Sequence, residues 1–143
     1  MTGTEADRLA RAATQIMLGW TAAAAGADLT LRDFFQSRGN ARISAARARG
    51  VRSLRATLRE EVRGAFDVIV DWDDAHRLVA EALAAEGLSF DEYGLRPDRV
   101  VAAVLKRGRI ATEWEWHLVR ARADRGDHPQ TDRLLEMIDR FGM

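Results

Sequence analysis

Between Val51 and Ile69 the apolar residues Val51, Leu54, Leu58, Val62, Ala65 and Ile69 advance by three and four. That recurrence is one face of an α-helix. A competing reading makes 66–72 a strand, with Phe66, Val68, Val70 and Trp72 on one side and Asp67, Ile69 and Asp71 on the other. A strand needs a neighbour for its backbone groups, and no other segment alternates convincingly. The helical reading therefore governs the chain.

An unbroken helix from 51 to 86 would be roughly 50 Å long, so a break is expected near Asp71–Asp73. Caps and glycines divide the rest. Thr4 and Asp7 open a helix that Gly26 ends. Thr30 opens a short helix carrying Phe34 and Phe35, closed near Gly39, and Asn40 starts another that runs through Gly50 or is broken by it. Asp71 caps a helix through Leu83, and Ser89 to Glu92 makes one short turn. Pro97 sits at a first helical position and Gly108 closes that segment. Thr112 and Glu115 form a capping box for a helix ending at Gly126, and 131–141 gives the last helix. The expectation is all-α: a single-domain, irregular bundle of six or seven helices over residues 1–143, a length that suits one core and is short for two.

Composition removes some functions. With no cysteine there is no disulfide, thiolate nucleophile or thiolate zinc site. The uncharged run 12–27 has the outline of a signal peptide, but Glu5 and Asp7 cancel Arg8 and Arg11. Leu9, Ala13, Ile16, Trp20 and Ala24 fall on one helical face, and the run is short of the ~20 residues a membrane span needs. A cytoplasmic chain without a membrane segment is the expectation.

The formal net charge of zero hides a division: residues 1–63 carry 11 Arg against 6 acids, and residues 64–143 carry 11 basic against 16 acidic side chains. Lys106 is the sole lysine. If 40–63 is one helix, Arg42, Arg49, Arg52, Arg59 and Arg63 share a sector of about 100°, with Arg55 at its edge. Such a stripe, aided by aromatic side chains such as Trp116, is the candidate partner-binding surface. Its guanidiniums suit carboxylates on an acidic protein surface or the phosphates of nucleic acid. The opposed charges of the two halves also allow self-association.

Asp67, Asp71 and Asp74 fall on one side if 66–76 is continuous helix, which makes them weak metal candidates. Reading Asp71 as the first position of a calcium loop puts His76 where glycine belongs and Ala82 where the bidentate glutamate belongs. Four-apart pairing of Arg63 with Asp67 and of Asp73 with Arg77 is the alternative use of these acids. Residues 97–125 have helix-turn-helix spacing, but Glu113 and Glu115 stand where a recognition helix meets phosphate, so a plain αα-hairpin is expected. No nucleophile elbow or phosphate loop is present. No catalytic residue and no cofactor is assigned. The expected function is a non-catalytic protein-interaction module, a small regulator, adaptor or inhibitor, with nucleic-acid binding second and a metal-dependent hydrolase third.

Overall fold

The computed structural model describes residues 3–93 and 96–142. Among them are eight helices and no strand: α1 Glu5–Ala25, α2 Leu29–Arg49, α3 Val51–Val68, α4 Trp72–Ala85, α5 Phe90–Tyr93, α6 Pro97–Arg107, α7 Glu113–Asp124 and α8 Thr131–Phe141. The all-α bundle is as expected, with one helix more than the larger count; α5 is a single turn.

Helix α1 lies at the centre because its small and apolar residues can be covered on several sides. Leu9, Ala12, Ala13, Ile16 and Met17 are fully buried. Alanine on a helix surface lets neighbours approach, and α2, α3 and α4 all pack on α1. Arg47 pairs with Asp7 while Gly39 rests on Met17, so α2 runs antiparallel to α1. Arg55 pairs with Glu5 and Gly64 meets Trp20, so α3 runs parallel to it. Arg11 pairs with Glu86 and Gly19 meets Leu78, which sets α4 antiparallel. The seam of α3 supplies Leu54, Leu58, Val62 and Ala65 to the core. Phe66 joins α3 to α4 and α7, its ring centroid 5.5 Å from Trp72 and 6.3 Å from Trp114. Helices α6 and α7 form the expected hairpin and α8 packs on α7.

The expected short helix ending near Gly39 is corrected, and the breaks at Gly50 and before α4 are located. Gly39 does not end a helix, and Asp28 rather than Thr30 is the N-cap of a continuous 21-residue α2. A Cβ at Gly39 would lie 2.5 Å from Met17 Cγ and Sδ, so this glycine is a notch for close helix approach and not a terminator. The helix across 40–63 is interrupted at Gly50, whose φ of 117° only glycine adopts readily. The chain leaves helical geometry at Ile69 and Asp71, beside the expected break near Asp71–Asp73, and this splits the acidic face of 67–74.

Candidate functional site

The interruption at Gly50 divides the arginine stripe. Arg42 and Arg49 belong to α2; Arg52, Arg55, Arg59 and Arg63 belong to α3. Arg42 reaches Glu61, with Nη2 donating to Oε1 and Oε2 at 3.3 and 3.4 Å. On a helix advancing about 100° per residue, Glu61 is roughly opposite Arg52, Arg59 and Arg63. The two groups therefore address different surfaces. Arg55 is held by Glu5 and Arg63 by Glu60 at 3.1 Å. Arg49, Arg52 and Arg59 are exposed and have no ion pair among the described residues. Trp116 is half-buried under the Arg120 guanidinium, 5.2 Å from its ring centroid, and belongs to α7, away from α2.

The acidic candidates also disperse. Asp67 Oδ1 lies 2.9 Å from His117 Nε2. The Asp71 carboxylate caps α4, taking the Asp74 N–H at 3.0 Å. Asp74 pairs with Arg77, Asp73 with Arg125 and Arg63 with Glu60, so neither expected four-apart pair is formed. Among the described residues no three His, Asp or Glu side chains are grouped to hold a metal ion. Glu115 completes the capping box with Thr112. Burial raises its pKa, but hydrogen bonds from Arg107 and the Ala111 and Thr112 N–H groups outweigh that and hold it below the ordinary range.

What remains is a surface that lay outside the sequence-based candidates. The core-facing side of α2 is short: Gly39, Ile43 and Ala46 are its buried residues, and none of residues 29–38 is buried. On the opposite side, Leu31, Phe34, Arg38, Ala41, Ala45 and Ala48 recur at three and four residues, and every one is exposed. They fall within about 100° of arc, the seam one helix offers another. Leu31 and Phe34 are 36% and 53% exposed, and Leu29 at the helix start is 59% exposed. The Arg38 guanidinium lies 5.5 Å from the Phe34 ring centroid and the Phe34 and Phe35 rings are 6.0 Å apart. Bulky apolar groups thus crowd the first two turns, followed by Arg38 and then by alanines that permit close approach. Arg42 and Arg49 flank the seam.

The signal for this surface is in the sequence, in the 31–48 recurrence, but it is legible only once α2 is known to pass through Gly39. No family model, curated protein or solved structure matches the chain. The class that fold and surface define is an all-α helical bundle carrying an exposed apolar and arginine-bearing helical seam.

Proposed function

We propose that this chain is a non-catalytic protein-interaction module, a small regulator, adaptor or inhibitor. It docks through the outer seam of α2 onto an amphipathic helix of a partner protein. The observation that carries the reading is that none of the first ten residues of α2 is fully buried, Arg32, Phe35 and Gln36 being half-buried, while Leu31 and Phe34 are presented to water. Isolated helix ends are marginal in water without tertiary packing, and clustered exposed apolar groups mark interaction surfaces. Helix-to-helix docking reads such anchors at three- and four-residue spacing.

Charge narrows the partner. Arg38 and Arg49 line the seam or its flank without an ion pair among the described residues, and acidic side chains opposite them would pair. A second copy in antiparallel register would bring Arg38 close to its own counterpart, which disfavours self-association. The test is capture from a native lysate by the wild-type chain, Phe34→Asp and Arg38→Glu, with melting curves for each. One discrete protein retained by wild type and lost by both variants, with melting unchanged, supports the reading. Equal capture by all three, or none by the wild type, contradicts it.

A second reading rests on Arg52 and Arg59, exposed on one side of α3 without an ion pair among the described residues. Phosphate binding there would weaken steeply with salt. A band shift on duplex or single-stranded nucleic acid at low salt, abolished in Arg52→Glu/Arg59→Glu, would favour it over helix docking.

A further inference from the structure

A groove of about 580 Å³ opens between α6, the α7–α8 connection and the start of α8. Volumes of roughly 300–1,000 Å³ are typical of small-ligand sites. Its apolar surface comes from the exposed Ala102 and Pro129, with Val101 and Leu105 buried beneath at 2% and 7% exposure. Its walls are cationic. Lys106 is exposed and without an ion pair among the described residues; Arg133 has only the Gln130 side-chain oxygen, at 3.4 Å. Arg122, its side chain 14% exposed, is held by Asp127. The one acid lining the groove, Asp98, lies at its rim, 81% exposed and 4.0 Å from Arg122.

His128 lines the groove at the α7–α8 turn. His128 Nδ1 accepts the Gln130 N–H at 2.9 Å, and the His128 carbonyl accepts Thr131 Oγ1 at 2.8 Å and the Thr131 N–H at 3.2 Å. With Nδ1 engaged as an acceptor, the neutral imidazole carries its proton on Nε2. Helix α8 begins at this turn with no side-chain cap at Gln130, so its positive end adds to the field. Cations gathered over an apolar surface repel one another, and a bound anion relieves that repulsion.

We infer that this groove binds a small organic oxyanion, a carboxylate or phosphate ester carrying a ring-sized apolar body. The head group meets Lys106 and Arg133, and the apolar part lies on Ala102 and Pro129. The site is independent of the α2 seam.

The test is amide chemical-shift mapping of the full chain titrated separately with phenyl phosphate, benzoate and inorganic phosphate. Saturable shifts at 101–106 and 128–133 are expected with phenyl phosphate or benzoate, and whichever binds tighter identifies the head group. Lys106→Ala and Arg133→Ala each weaken binding by about tenfold, the effect of losing one charge-assisted contact. Lys106→Arg retains binding, Arg59→Ala leaves it unchanged, and all variants melt as wild type does. The inference is overturned by no saturable shift with either organic probe, by equal shifts around Arg49, Arg52 and Arg59, or by binding indifferent to Lys106→Ala and Arg133→Ala. It is also overturned if inorganic phosphate binds as tightly as phenyl phosphate, since the apolar surface then takes no part.

Discussion

Glu61 is a carboxylate 2% exposed in an apolar core. Burial pushes its pKa up; the Arg42 charge and the hydrogen bonds from Trp20 Nε1, at 3.0 Å, and Arg42 oppose that without cancelling it. The folded state therefore holds a proton more readily than the unfolded chain, whose carboxyl titrates near 4.5. Stability from this group is greatest below that value and is lost as pH rises through the folded pKa. Glu61→Gln keeps an acceptor for Trp20 without the buried charge. Chemical denaturation is expected to show it at least as stable as wild type at neutral pH, the difference shrinking toward pH 4.5. A loss of more than about 1 kcal/mol at neutral pH, the worth of a net hydrogen bond, would contradict this. Gly39→Ala places a methyl 2.5 Å from Met17 and is expected to cost about 1–3 kcal/mol by overpacking; a melting point equal to wild type would show that Met17 moves aside freely. That glycine is also where the sequence misleads. Read alone it is a helix breaker, and only the tertiary contact explains its place inside a helix.

Most elements were legible because their ends carry local chemistry. Thr4 with Asp7 caps the start of α1 as expected, there as a full capping box; Thr112 with Glu115 forms the expected capping box, Pro97 opens α6 and Gly108 closes it. The seam of α3 reads off its spacing. Helix α2 was not legible, since only its second half supplies fully buried residues and its buried and exposed stripes lie on opposite sides. The same asymmetry gives a measurable consequence. Amides of residues 32–38 in α2 have fewer buried contacts over them than those of 40–48, and local opening follows burial. Hydrogen exchange of the isolated protein is expected to be faster in the first half than in the second. Uniform protection along α2 would mean that its outer half is already covered.

At the scale of the molecule, α1 organises the first four helices while Phe66, Trp72 and Trp114 tie them to α7. No described helix is long and apolar enough to cross a membrane. The arginine excess of residues 1–63 is only partly consumed inside the fold: Arg42, Arg47, Arg55 and Arg63 have carboxylate partners, while Arg38, Arg49, Arg52 and Arg59 have none among the described residues. The sequence showed this excess but not its distribution, because which arginines are spent internally depends on how α1, α2 and α3 meet. An acidic partner arriving at α2 would be steered by the remainder, and its association rate would fall with salt. The most direct measurement is site-specific photocrosslinking with a benzophenone side chain placed at position 34 on the α2 seam or at position 59 on α3. The account predicts one discrete protein adduct from position 34, suppressed by Leu31→Asp and absent from position 59. No adduct from position 34, or the same adducts from both positions, would contradict it.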